Sequence, residues 1–167
     1  MRIQIKVTLP KKQFSNVLVQ HYLHQKQKSV TGPEIKQDFE GTVQGWNNKP
    51  AFITKYSMND REVGVRVYPS SGKNGDIYRL VVLGSPAHTI TVRRAPFLRY
   101  QTGYSSSTKA GSLLSRPNQR SGRWRVAHSV KHPGFEEREF DRLIGDKNLP
   151  KFQKDMQDAV EEAFRHM

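Results

Sequence analysis

The sequence contains no cysteine, which excludes disulfide staples and thiolate metal sites. It has no run of about 18 apolar residues, so no membrane-spanning helix is expected. The opening MRIQIKVTLP alternates polar and apolar residues and lacks the unbroken apolar core of a signal peptide. Negative charge is missing from a whole third of the chain. From Ile77 to Phe135, a run of 59 residues, there is no Asp or Glu.

What is present follows from that gap. There are 28 Lys and Arg against 15 Asp and Glu, a formal charge of +13. The acid-free run carries Arg79, Arg93, Arg94, Arg99, Lys109, Arg116, Arg120, Arg123, Arg125 and Lys131. Beyond it the sign reverses, with Glu136, Glu137, Glu139, Asp141, Asp146, Asp155, Asp158, Glu161 and Glu162 against six basic residues. A charge this far from zero points to a polyanion, usually nucleic acid, or to acidic neighbours in an assembly. A solvated basic loop with no partner is the plainer alternative, but solubility alone does not call for so long a stretch without an acid. The length of 167 residues predicts a single domain over 1–167. It is enough to bury a sizeable core, although only 35% of residues are hydrophobic.

Periodicity predicts the elements. Ile3, Ile5, Val7 and Leu9 alternate as a strand that Pro10 ends. Phe14, Val17, Leu18, His21 and Tyr22 form a helical stripe over about 11–28, and Thr31-Gly32-Pro33 reads as its break. The segment 35–46 reads as strand-like, and NNKPAF separates it from a strand over 52–56. Val63, Val65 and Val67 alternate. The turn SSGKNGD then predicts a hairpin that pairs 63–68 with a strand over 76–83. HTITVRR and GRWRVAHSVKH read as extended pieces. Between them, 101–122 is rich in Ser, Gly and Arg and predicts a long flexible loop. Two helices are expected at the end. One covers EEREFDRLIG and stops at Gly145. The other starts near Asn148-Leu149-Pro150 and carries the stripe Phe152, Met156, Ala159, Val160, Ala163 and Phe164.

Catalytic chemistry finds little support. His128 and His132 are four apart in a strand-like segment, about 13 Å along a strand, which argues against shared ligation. Neither a Gly-x-Ser-x-Gly elbow nor a Gly-rich phosphate loop is present. His132-Pro133-Gly134 reads as a strand-to-helix corner, with Glu136, Glu137 and Glu139 in the first turns of the helix, where its dipole favours negative charge. Aromatics interleave with the arginines: Arg94, Phe97, Arg99, Tyr100, Tyr104, Arg123, Trp124 and Arg125. That pattern suits single-stranded nucleic acid by stacking and phosphate pairing. For Trp124, in strand rhythm, a core or inter-subunit role is the favoured expectation.

Several motifs in order resemble a known family. TVQGWNNKPAF is followed by the extended segments, by IYRLVVLGSPAHTITVRRAPFLRY, by the Ser/Gly loop, by GRWRVAHSVKHPGFEEREF and by a terminal amphipathic helix. Within these, Gly84, Ser85, His88 and Ile90, then Phe97 to Tyr100, then His132, Pro133, Gly134, Arg138 and Phe140 match family elements. The series, from about Phe39 to the C-terminus, resembles the neck or tail-completion minor structural proteins of tailed bacteriophages, the group that includes tail terminators. The resemblance implies an α+β fold, a small twisted antiparallel sheet with helices packed on one face. It implies a non-enzymatic subunit of a homo-oligomeric ring, hexamer or dodecamer, that joins the head connector to the tail around the DNA channel. It places the chain in the virion after assembly in the bacterial cytoplasm, without cofactor, metal or membrane. On that reading Arg93, Arg94, Arg99, Lys109, Arg116, Arg120, Arg123 and Arg125 are the expected contacts to DNA or an adjoining ring, without base specificity, and His132, Pro133 and Gly134 form the corner. The alternative is a small basic nuclease or nucleic-acid-binding toxin, with His128 or His132 in its site.

Overall fold

A computed structural model describes residues 3–8, 16–59, 62–116, 119–120 and 122–166. Strand β1 (Ile3–Thr8) lies beside β3 (Glu62–Pro69), and β3 also pairs with β2 (Phe52–Asn59), giving an antiparallel sheet of order β1-β3-β2. The register sets Ile5 opposite Val65 and Val65 opposite Tyr56. Alternation therefore puts Ile3, Ile5, Val7, Val63, Val65, Val67 and Phe52 on one face and Gln4, Lys6, Lys55 and Arg66 on the other. The apolar face is the one the helices cover. The fold is α+β, with a small antiparallel sheet.

The helical layer departs from its expected boundaries. Helix α1 (Asn16–Lys26), a π-helical turn (Gln27–Thr31) and α2 (Gly32–Thr42) run on without a break. Thr31 and Gly32 both keep helical dihedrals, so Thr31-Gly32-Pro33 does not stop the chain, and 35–42 is helix rather than strand. The π turn explains why. An α-helix would press the Pro33 ring against the carbonyl four residues back. Here the wider turn, closed by the Gly32 N–H donating to the Gln27 carbonyl, carries the chain past it. An added Cβ at Gly32 would collide with the Tyr56 hydroxyl, so any side chain there would have to displace the Tyr56 ring. The buried side of α1 also differs from the expected stripe. Val19, Leu23 and Gln27 point inward, while Val17 is 77% exposed. Helix α1 carries apolar residues on two sides, and only its docking chooses between them. The expected residues 11–15 lie outside the described part.

Helix α3 (Lys73–Leu83) replaces the predicted hairpin strand. Asn74-Gly75 is not a turn. Gly75 sits so close to the Ser70 carbonyl that a Cβ would have no room, and Gly75, Tyr78 and Val82 form the buried side. Tyr78 is the hub of the first core cluster. Its ring lies 5.1 Å from Phe52, 5.8 Å from Phe140 and 6.1 Å from Trp46. Ile35, Phe39, Val43, Val67, Val82 and Ile144 complete that cluster. Each such side chain contributes about 1.5–3 kcal/mol of burial. Burial also pushes the Tyr78 hydroxyl above its ordinary pKa.

The two terminal helices are one, α4 (Phe140–Arg165), which passes through Gly145 and Pro150. The N–H that Pro150 lacks would have bonded the Asp146 carbonyl. Both residues are exposed, so water can satisfy that carbonyl. The helix also starts later than expected. Glu136 and Glu137 lie before it, and Glu139 precedes Phe140 with a left-handed backbone, φ +46°. A two-residue bridge between Ser85 and Phe135, and an N–H from Arg138 to the Val82 carbonyl, hold 135–138 against the end of α3. Met156, Ala159 and Ala163 of the predicted stripe pack with Val19, Leu23 and Val63 in a second cluster, with Phe152 and Val160 partly buried beside it, but Phe164 is 41% exposed. No helix among the described residues is long and apolar enough to cross a membrane.

Candidate nucleic-acid interface

The acid-free run folds largely into one two-stranded ribbon. Strands β4 (His88–Thr91), β5 (Leu98–Gln101) and β6 (Tyr104–Ser105) pair in nested order with β9 (Ser129–His132), β8 (Trp124–Ala127) and β7 (Gln119–Arg120). The ladder is antiparallel throughout, from His88 opposite His132 to Ser105 opposite Gln119. The Val92 N–H donates to the His128 carbonyl, and the Thr102 N–H to that of Arg123. The segment 101–122, expected as a free loop, is therefore the far part of the ribbon. Its tip returns to the body. Thr108 is buried, Leu113 packs on the first core cluster, and the Gly45 N–H donates to Ser115 Oγ at 3.0 Å. Residues 117, 118 and 121 lie outside the described part.

One strand of the ribbon holds a long excursion. Ala127 and His128 are consecutive, yet their partners are Leu98 and Val92. The five intervening residues, Arg93-Arg94-Ala95-Pro96-Phe97, have no opposite number and are all exposed. Pro96 offers no N–H to a ladder, which suits it to such a bulge. Arg93 and Arg94 are thereby lifted off the ribbon. Arg99 and Arg125 stand on β5 and β8, and Arg123 is exposed just before β8. Lys109 and Arg116 are exposed around the tip, and Arg116 donates its N–H to the Ser107 carbonyl. Arg120 is paired through its backbone in β7, opposite Tyr104.

The placing of the carboxylates separates ribbon from body. Seven ion pairs occur among the described residues: Lys6–Glu62, Lys26–Asp155, Lys36–Glu40, Arg79–Asp76, Arg142–Glu139, Lys147–Asp38 and Lys151–Glu34. All lie in the sheet, the helices or, for Glu139, the residue just before α4. Arg93, Arg94, Arg99, Lys109, Arg116, Arg123, Arg125 and Lys131 have no carboxylate partner among the described residues. Desolvated charges are costly unless paired, so these side chains stay at the surface, where they can meet an external anion.

Trp124 is not core. It is 54% exposed, and the Arg99 guanidinium lies 4.7 Å from its ring centre. Arg99 pairs with Val126 and Gln101 with Trp124, so these four share one face of the ribbon. Of the core and inter-subunit roles that strand rhythm pointed to, the core role is overturned, because the described residues of the ribbon leave Trp124 and Val126 on this face exposed.

At the base of the ribbon, His88 and His132 stack with ring centres 5.0 Å apart. Local spacing carries no sign of this, because the pairing is set by a ladder that spans 44 positions. His88 Nδ1 donates to the Pro86 carbonyl at 2.9 Å, and the Gly134 N–H donates to His132 Nδ1 at 3.0 Å. In its neutral form His132 thus carries its proton on Nε2. Gly134 has φ +81°, and a Cβ there would meet the Ser85 carbonyl. The corner formed by His132, Pro133 and Gly134 is accordingly a tight backbone crossing. Among the described residues no group of three or more His, Asp or Glu is placed to hold a metal ion.

No family model, curated protein or solved structure matches this chain.

Proposed function

We propose that the chain is a structural subunit of the neck of a tailed-bacteriophage particle, one of a ring that joins the head connector to the tail around the DNA channel. The observation that carries the reading is the gathering of cations on an element that has no acid of its own. The ribbon carries the eight cations named above and no carboxylate, whereas all seven ion pairs among the described residues lie in the body. The ordered motif series from Phe39 onward supports it. A subunit that lets a duplex slide past needs phosphate-distance Arg and Lys and no base readout, which is what an exposed basic ribbon offers. The neighbours are then copies of this chain, the connector-side and tail proteins, and packaged DNA without sequence preference.

Side-chain-resolution electron microscopy of purified particles is the direct test. The expected result is density for this chain in the neck, with ribbon arginines against DNA or an adjoining ring. A particle whose neck lacks the chain ends the reading. The nuclease alternative predicts cleavage of RNA or DNA that His128→Ala or His132→Ala abolishes while the fold survives. The lone His88–His132 pair, without a carboxylate beside it among the described residues, favours no such site.

A further inference from the structure

We infer that the β5–β8 segment of the ribbon is a binding site for single-stranded nucleic acid, built on Trp124 and Arg99. The inference stands whether or not the chain belongs to a phage neck, because it rests on the side chains of one ribbon face.

Trp124 is more than half exposed, Val126 on the same face is 60% exposed, and Phe97 in the adjoining bulge is 48% exposed. A small domain does not leave such side chains in water at no cost, and here they are held by paired strands rather than by a tip or terminus. The Arg99 guanidinium over the indole makes a cation–π contact that fixes the ring. No carboxylate among the described residues pairs with its N–H groups, so they are available to a phosphate. Arg123 and Arg125 flank Trp124 in sequence, both exposed, and alternate to the opposite face. A backbone wound past the ribbon edge meets cations on either side while a base lies against the indole.

The charge chooses the occupant. No acid interrupts the run that contains this face, so its charge complements an anionic partner. An acidic protein would satisfy the arginines but has no use for an indole propped open by a guanidinium. A duplex would satisfy the phosphate contacts, but its base faces are already stacked on one another. Unpaired nucleotides supply both a phosphate and a free base face. The stacking tolerates any base, so no sequence preference is expected.

The test is fluorescence anisotropy of the full chain with three labelled probes of about 20 nucleotides, oligothymidylate, oligouridylate and a mixed duplex, with polyglutamate as competitor. The wild type should bind the single strands more tightly than the duplex. Trp124→Ala should weaken single-strand binding about tenfold and leave duplex binding unchanged, and Trp124→Phe should retain most of the affinity. Circular dichroism of both variants should match wild type, as the side chain is half exposed. A preference for the uridylate or thymidylate probe assigns the source to RNA or DNA, and either supports the site. Unchanged single-strand binding in Trp124→Ala overturns it. So does an equal loss for duplex and single strand. Displacement of the oligonucleotide by polyglutamate from wild type and Trp124→Ala alike also overturns it, since the surface would then read charge alone.

Discussion

Gly134 shows how a single backbone atom count holds the ribbon base. Its positive φ and its approach to the Ser85 carbonyl leave no place for a side chain, and its N–H fixes the His132 ring. Gly134→Ala should therefore cost about 1–3 kcal/mol, read as a lower midpoint in urea unfolding. Phe140 is wholly buried against Tyr78, so Phe140→Ala should cost about 3–5 kcal/mol in the same assay. His24 gives a pH dependence. Its pKa is lowered, first by burial, then by Lys28 and His21, and its Nδ1 is buried with no partner among the described residues. A depressed folded-state pKa means that the native state binds fewer protons there than the unfolded chain. Its contribution is then present above the ordinary histidine value of about 6.5 and is lost as pH falls below it. Thermal midpoints at neutral and mildly acid pH should fall less on acidification in His24→Gln than in wild type. Equal falls in the two proteins would count against this role for His24.

Elements show where local signals mislead. Pro150 and Gly145 are both stop signals, yet α4 carries them because tertiary packing at Phe140, Ile144, Met156 and Ala159 spans the interruption. Proline in a helix interior costs up to about 3 kcal/mol, so Pro150→Ala at this exposed site should raise stability by roughly 1–3 kcal/mol. A higher thermal midpoint would show it, and a lower one would mean that the proline ring is packed. In α3 the segment DIYRLVVL reads as strand by alternation and as helix by the spacing of Tyr78 and Val82. The slot beneath Ser70, which only Gly75 fits, settles it as helix. The strands β1, β2 and β3 were legible because period-two alternation and one buried face agree there. The ribbon strands β4, β8 and β9 were legible as extended pieces, but β5 was not, and neither were the partners, since each lies up to 44 positions away.

For the whole molecule, the separation of an acid-containing body from an acid-free basic ribbon makes salt the natural probe. The log of duplex affinity should fall linearly with log salt, and Arg93→Ala/Arg94→Ala together should reduce the slope by about 2 if both meet phosphates. An unchanged slope would remove the exposed bulge from the interface. The candidate site was partly readable in advance. The basic residues were, because the absence of acids is a property of composition. The exposure of Trp124 and its contact with Arg99 were not, because they depend on which face of a two-stranded ribbon is left bare.

By itself the sequence determined the charge asymmetry, the alternating strands of the main sheet and the existence of an acid-free basic segment, since these follow from residue type and near-neighbour spacing. Only the tertiary structure decided that helix runs through Gly32-Pro33 and Pro150, that α3 is helical, and that the basic segment is a nested ribbon. Those outcomes turn on contacts between residues distant in the chain, whose packing outweighs local preferences of about 1–3 kcal/mol.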